Sequence, residues 1–160
     1  MGDWSAIFLT MAKGATEARA ALGYTAFSVT MVVMRLIGYH SITYFGPVWS
    51  ARISGVSAMI GMATVIGSSS VWVAIGGFAL MGFAYALVVP LAFSRAALEP
   101  GISTGRAIAG VATLSYGGML VGPPIIGFVA ESFSLELAFG MVMMLGVLTV
   151  GLAHHLRPPV

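Results

Sequence analysis

The sequence predicts an all-α polytopic membrane protein, from its composition, the length of its apolar runs and the shortness of the segments between them. Of its 160 residues, 59% are hydrophobic and only 8% are charged, and the mean hydropathy is +1.01. A water-soluble domain carries about 25% charged residues, because its surface must face water. This chain has too few charges for such a surface, and a lipid bilayer removes the need for them.

Five apolar runs are long enough to cross a bilayer as helices, because a hydrocarbon core of roughly 30 Å takes about 20 residues. The predicted spans are residues 20–38, 51–68, 71–93, 107–129 and 135–152. Charges and turn residues bound them: Arg19 precedes the first span, and Ser68, Ser69 and Ser70 close the second. The connections are short, so residues 1–160 are predicted to form a single transmembrane domain.

Residues 1–11 are apolar but too few to cross a bilayer. We interpret them as the remnant of a preceding span whose beginning lies outside the sequence. An N-terminal segment lying in the membrane interface is the alternative.

The first span carries a polar stripe. Tyr24, Ser28, Met31 and Arg35 follow one another at intervals of four, three and four residues, which places them on one helix face. Such a stripe is predicted to face a helix bundle or an aqueous cavity. An arginine inside a span costs roughly 2.5–3.5 kcal/mol on insertion scales. We therefore expect Arg35 to reach the headgroups or to form a structural latch, and solute contact is the alternative.

The third span places Tyr85 in mid-helix, with Pro90 after it. A phenol at that depth is expected to find a hydrogen-bond partner. A group on a neighbouring helix is the favoured partner, and a solute is the alternative.

The fourth span has two polar side chains followed by a pair of small residues. Thr113 and Tyr116 lie three residues apart, and Gly118 and Gly122 lie four apart. The glycine pair removes side chains from one face and predicts that another helix approaches closely there.

Two prolines follow at once in the same span. Pro123 and Pro124 remove two backbone donors, which predicts a kink whose freed carbonyls face protein or water. A kink that moves between states is preferred over a static one. The second and fifth spans hold little polar chemistry, and we interpret them as outer supports.

Several function classes lack support in the sequence. Cysteine is absent, which excludes disulfides and thiolate sites, and no basic run indicates nucleic-acid binding. No span presents a catalytic constellation of His, Asp and Glu, so we predict neither an enzyme nor a cofactor. His154 and His155 are adjacent, which is poor geometry for joint metal ligation, and no metal site is predicted.

The arginines predict the orientation in the membrane, because Lys and Arg collect on the cytoplasmic side. Lys13 and Arg19 fall on one side of the predicted spans. The other side collects five arginines, namely Arg35, Arg52, Arg95, Arg106 and Arg157. The C-terminus is therefore predicted to be cytoplasmic.

Six sequence runs carry a family resemblance. In chain order they are Gly2-Asp3-Trp4-Ser5-Ala6, Ala21-Leu22-Gly23-Tyr24-Thr25-Ala26-Phe27-Ser28, Arg35-Leu36-Ile37-Gly38, Pro90-Leu91-Ala92-Phe93-Ser94, Val111-Ala112-Thr113-Leu114-Ser115-Tyr116-Gly117 and Gly122-Pro123-Pro124-Ile125-Ile126-Gly127-Phe128-Val129-Ala130-Glu131. Together they resemble the C-terminal half of a bacterial major facilitator superfamily (MFS) transporter, truncated within its seventh helix. The Gly-Pro-Pro block is the most specific of them.

The resemblance implies half of a fold with two six-helix halves that hold a solute between them. It implies a multi-pass protein of the bacterial inner membrane, whose partners are the lipid bilayer and a small-molecule solute. A separate N-terminal six-helix half is a further candidate partner.

The family's pathway helices give the candidate site residues. The substrate-pathway candidates are Tyr24, Ser28, Tyr85, Thr113 and Tyr116. The gating or structural candidates are Arg35, Gly38, Gly118, Gly122, Pro123 and Pro124.

One loop departs from the family. Its usual Gly-Asp-Arg followed by a further Arg is replaced here by Gly38, Tyr39, His40 and Tyr44. The charge-pair latch of that loop is therefore expected to be lost, while Arg35 remains.

The leading hypothesis is part of a secondary transporter that moves a small, sugar-like or drug-like solute by alternating access. The alternative is a non-transporting truncated fragment, a membrane scaffold or a partner subunit.

Overall fold

The computed structural model of the chain describes residues 2–157, without the side chains of residues 2, 3, 39 and 41. Within that range it is all α, with no strand, which confirms the predicted fold class. Five helices follow one another: α1 (Gly2–Met11), α2 (Glu17–Gly67), α3 (Val71–Ala97), α4 (Thr104–Ser132) and α5 (Leu135–Leu152). A short 3-10 turn, Ala153–Leu156, ends the described chain.

Helix α2 has 51 residues and contains two spans, because Gly46 interrupts it with φ 77° and ψ 164°. A straight helix would separate Met34 from Ala51 by about 25 Å, yet both belong to one buried cluster. The chain therefore folds back at Gly46. We call residues 17–45 the first arm of α2 and residues 47–67 the second arm.

The turn at Gly46 differs from the longer connection, between residues 38 and 51, that the sequence predicted. Glycine adopts the positive φ without strain, and Pro47 suits the first turn of the next helix. The apolar pattern stops near Gly38, but the helix continues. The end of the apolar run therefore does not mark the end of the helix.

Helices that are long and apolar enough to cross a membrane overlap the predicted spans. Within the described residues there are five, namely Glu17–Gly38, Ile42–Gly67, Val71–Ala97, Thr104–Ser132 and Leu135–Leu156. The protein is therefore a multi-pass membrane protein. Because successive spans run in opposite directions, the five arginines of the sequence analysis lie at one end of the bundle and Lys13 lies at the other.

Helix α1 packs inside the bundle. Ser5, Phe8 and Leu9 are fully buried, and the Phe8 ring stacks on the Phe139 ring of α5 with centroids 4.5 Å apart. The Phe78 ring of α3 meets Phe139 edge-on at 6.4 Å. This burial argues against an interfacial position for α1, while its origin in a longer span stays a prediction.

Glycines bring the second arm of α2 into backbone contact with both α3 and α5. A Cβ added to Gly61 would lie 2.8 Å from the Gly77 carbonyl oxygen, and one added to Gly77 would lie 2.7 Å from the Gly61 oxygen. The same reciprocal contact joins Gly55 and Gly146, at 2.8 and 3.0 Å. Only glycine permits helices to approach so closely, and dense packing is what holds helices together in lipid.

The first arm of α2 meets α3 in a similar way. A Cβ added to Gly82 would overlap the carbonyl oxygen of Phe27. Beside it, the Thr30 hydroxyl donates a hydrogen bond to the Ala79 carbonyl at 2.7 Å. Both arms of α2 therefore pack on α3.

Lys13 links the α1–α2 connection to the far end of α2. Its ammonium donates to the Ile66 carbonyl at 3.0 Å and lies 5.3 Å from the centroid of the Phe8 ring. The last carbonyls of a helix lack intrahelical donors, and a cation there also interacts favourably with the helix dipole. Lys13 therefore caps the end of α2.

We predict that Gly77→Ala lowers the unfolding free energy by about 1–3 kcal/mol, because the new methyl meets the Gly61 carbonyl. The matched control is the adjacent Gly76→Ala, where a Cβ meets no atom within 4 Å. Unfolding of the purified protein in mild detergent, followed by circular dichroism, measures both. Equal stability of the two variants would contradict the close crossing.

We predict that Lys13→Met lowers the unfolding free energy by about 1–2 kcal/mol, through loss of a charge-assisted hydrogen bond at a helix end. Arg19→Met is the control, because Arg19 is exposed near the same end of the bundle. The same unfolding measurement applies. A Lys13 variant no less stable than the Arg19 variant would refute the capping role.

Candidate functional site

Helix α4 is packed differently from the other spans. None of its 29 residues is buried, whereas α3 buries nine of its own. Large apolar side chains on α4 stand exposed, among them Leu114 at 79%, Leu120 at 77% and Phe128 at 70%. The described helices therefore cover little of α4.

A cavity of about 590 Å³ separates α4 from the first arm of α2. Tyr24, Ser28 and Met31 line it from α2, and Gly118, Gly122 and Pro123 line it from α4. The structure thus brings together two of the substrate-pathway candidates and three of the gating or structural candidates. The wall combines hydroxyl groups with apolar surface, a combination that suits a small organic molecule.

Gly118 and Gly122 do not serve a helix contact within the described chain. A Cβ added to either one meets no atom within 4 Å, so the predicted close approach is absent there. Their effect is to widen the cavity, because no side chain fills the space between α4 and α2. Gly38, in contrast, is buried against Leu87 of α3.

The proline pair does not interrupt its helix. Helix α4 runs from Thr104 to Ser132 through Pro123 and Pro124, so the prolines do not end the helix, and the predicted kink stays a prediction. The prolines still lack amide hydrogens, which leaves the carbonyls of Met119 and Leu120 without their helical donors. Met119 lines the cavity, so the turn that lacks these two hydrogen bonds borders this space.

Tyr85 lies beside the cavity region without lining it. The residue packs against the main buried cluster, and its ring lies 6.3 Å from that of Phe27, which does line the cavity. The predicted hydrogen bond to a neighbouring helix is not found among the described residues. The alternative, contact with a solute, stays open for Tyr85.

Thr113 and Tyr116 do not join the cavity wall. The Thr113 hydroxyl donates to the carbonyl of Ala109 in its own helix, at 2.8 Å, and Tyr116 is 71% exposed. Both belong to the uncovered surface of α4. They remain candidates only for a pathway completed by a further part of the protein.

Arg35 lines a second cavity, of about 550 Å³, between the first arm of α2 and the end of α3. Pro90 and Ser94 of α3 lie across from it. Sequence reasoning had not placed Ser94 or Met119 in any site. Positions 122, 123 and 126 lie three, four and seven residues after position 119, the spacing of one helix face, and this spacing is the signal that would have added Met119 to the α4 face.

Comparison with known proteins identifies the relatives of this chain. Over 155 residues, or 97% of its length, it is 43% identical to an uncharacterized transporter, y4wD, of Sinorhizobium fredii. Over 150 residues it is 37% identical to an uncharacterized MFS-type transporter of Yersinia pestis. Over 148 residues it is 34% identical to the membrane protein MosC of Rhizobium meliloti. The chain is homologous to MFS-type transporters.

The resemblance to an MFS half is thereby confirmed. The matched region covers 41%, 39% and 36% of these three relatives, so the chain spans about 40% of the length of the curated relatives it matches. No family model matches the chain, and no solved structure matches it significantly. Within the part of the chain that the structure describes, no three His, Asp or Glu side chains group as metal ligands would.

We predict that the α2–α4 cavity is hydrated, which single cysteines test cleanly because the chain has none of its own. Ser28→Cys should react with a polar thiol reagent in proteoliposomes at least about tenfold faster than Leu148→Cys, because thiols ionise only where water reaches them. Leu148 is 51% exposed on α5. Ser54→Cys, at a position that is 1% exposed, is the buried control. A rate at position 28 no higher than at position 148 would contradict a hydrated cavity.

Proposed function

We propose that the chain forms part of a transporter that moves a small organic solute across the bacterial inner membrane by alternating access. The observation that carries the proposal is the cavity of about 590 Å³ between the first arm of α2 and α4. Two residues of its wall, Tyr24 and Met119, are 51% and 74% exposed in the described structure. The similarity to proteins named as transporters supports the same function.

The packing of α4 supports a moving role for this helix. Helices α2, α3 and α5 meet through glycine contacts between backbones, whereas α4 has no buried residue. Its turn at Pro123 and Pro124 borders the cavity. A helix held by so few contacts can change its tilt at lower cost than one locked by backbone contact.

The exposure of α4 also indicates a partner that covers this helix. The exposed apolar side of α4 is suited to pack against other helices, and a six-helix N-terminal half is the proposed occupant. The remaining length of the relatives is sufficient to contain it, since the matched region covers only 41% of y4wD. A solute held between two such parts would contact Tyr24 and Ser28. Under this proposal the C-terminus is cytoplasmic and the protein is not an enzyme.

A non-transporting scaffold or partner subunit is the second candidate. The exposed apolar side of α4 also fits this function, because a scaffold uses such a surface for helix association alone. A scaffold has no need for a hydrated, hydroxyl-lined cavity, so hydration at Ser28 separates the two candidates.

The test is transport in reconstituted vesicles. The chain is co-expressed with the part of y4wD that lies outside the matched region, and uptake and efflux are screened with a panel of sugars and aromatic solutes. We expect transport by the combined protein, and a roughly tenfold rise in KM for Tyr24→Ala, because a contact to the solute is lost. Tyr44→Ala is the control, since Tyr44 lies near the Gly46 turn and is 86% exposed.

A combined protein that assembles as a stable species and moves no solute would favour the scaffold. Equal KM values for Tyr24→Ala and Tyr44→Ala would show that Tyr24 does not contact the solute, and the transport function itself would still stand.

A further inference from the structure

The cavity between the first arm of α2 and the end of α3 has the chemistry of a site for an organic anion. It has a volume of about 550 Å³ and is lined by Arg35 and Ile42 from α2 and by Ala86, Pro90, Phe93 and Ser94 from α3. Most of its wall is apolar. Its polar side chains are those of Arg35 and Ser94.

Arg35 brings an uncompensated positive charge to this cavity. It is exposed, and no described residue forms a hydrogen bond or an ion pair with it. No carboxylate lines this cavity or the α2–α4 cavity. The carboxylate of Glu99, near the end of α3, is paired with Arg95. A guanidinium at an apolar wall is stabilised when an anion accepts its hydrogen bonds.

The opposite wall supplies one further polar group. The Ser94 hydroxyl lies one turn beyond Pro90 on the same helix; it lines the cavity and is exposed. The Ala86 carbonyl, which Pro90 leaves without its helical donor, belongs to a fully buried residue and is not available to a ligand. A ligand could therefore place an acidic group at Arg35 and a hydroxyl or amide near Ser94.

The position of Arg35 relates this cavity to the pathway. Tyr24, Ser28 and Arg35 lie on one face of the first arm, at spacings that repeat the helical turn. Arg35 lies in the half of the arm nearer the turn, about 15 Å before the end of that arm at Phe45. A solute that moved along this face would meet hydroxyl groups first and a single positive charge at the arginine-rich end.

We propose that the Arg35 cavity binds a small organic anion, with a carboxylate, phosphate or sulfonate at the guanidinium and an apolar body against Ile42 and Phe93. Binding of the anion depends on the cavity alone. The further conclusion that the transported solute is an anion rests on the proposed function.

The test compares three probes of one shape and different charge: 1-naphthoate, 1-naphthylmethanol and 1-naphthylmethylammonium. Equilibrium dialysis measures their binding to the 160-residue chain in a neutral detergent. We expect naphthoate to bind most tightly, and Arg35→Gln to weaken it at least about tenfold, because a charge-assisted contact is lost. Naphthylmethanol should bind both proteins equally, which corrects for partition into micelles.

Arg106→Gln is the matched control. It removes the same charge from the same end of the bundle, at an exposed position in the first turn of α4 that does not line the cavity. Arg35→Lys keeps the charge without the planar donor group and should bind naphthoate with intermediate affinity. Equal weakening by Arg35→Gln and Arg106→Gln would overturn the proposal, since it would indicate only a diffuse surface charge. Unchanged binding to a monodisperse Arg35→Gln protein would overturn it directly.

A lipid headgroup carries the same anionic chemistry, and nanodiscs distinguish the two sources. Naphthoate binding that is equal in phosphatidylcholine and phosphatidylglycerol nanodiscs supports a soluble anion. If naphthoate does not bind in phosphatidylglycerol nanodiscs at any concentration used, the cavity is occupied by a lipid, and the proposal is overturned. Because each arm measures binding, absence of transport by the combined protein would leave this result unaffected.

Discussion

Contact between helix backbones at glycine is the constraint on which the rest of the described structure depends. In lipid, apolar side chains gain little by leaving the solvent, so helices associate through dense packing and hydrogen bonds. The second arm of α2 meets α3 at Gly61 and Gly77 and meets α5 at Gly55 and Gly146. These crossings fix the distance between the three helices, and the aromatic cluster of Phe8, Phe78 and Phe139 fills the space beside them.

The same constraint divides the bundle into a fixed part and a loosely attached part. Helices α2, α3 and α5 share backbone contacts, whereas α4 lies beside them with no buried residue. The α2–α4 cavity therefore has a tightly packed helix on one side and a weakly packed helix on the other. A pathway wall made from one rigid helix and one weakly held helix can change its width without disturbing the core.

Much of the architecture could be predicted from the sequence, because hydropathy reports directly on the lipid environment. The five spans and the polar face of Tyr24 and Ser28 followed from length and helical periodicity alone. The turn at Gly46 could not be found in this way, since a helix that leaves the bilayer loses its apolar pattern without ending. Hydropathy locates the membrane boundary, and a glycine with positive φ locates the turn.

The roles of individual glycines were the least predictable feature. Gly118 and Gly122 have the spacing of a contact motif, yet no described helix approaches them, whereas Gly61 and Gly77 touch across a distance in sequence that no local pattern encodes. The second and fifth spans, interpreted as outer supports for want of polar groups, contribute Gly61, Gly55 and Gly146 to the core. Which glycine meets which helix is decided by the whole bundle.

The turn at Gly46 also bears on how the protein enters the membrane. Because one residue separates the two arms of α2, both spans would be presented to the insertion machinery as a single helical hairpin. Because Arg35 and Arg52 lie on either side of the turn, moving the turn through the bilayer would carry the insertion cost of both charges at once. A single glycine would in this way couple the membrane orientation of one span to that of the next.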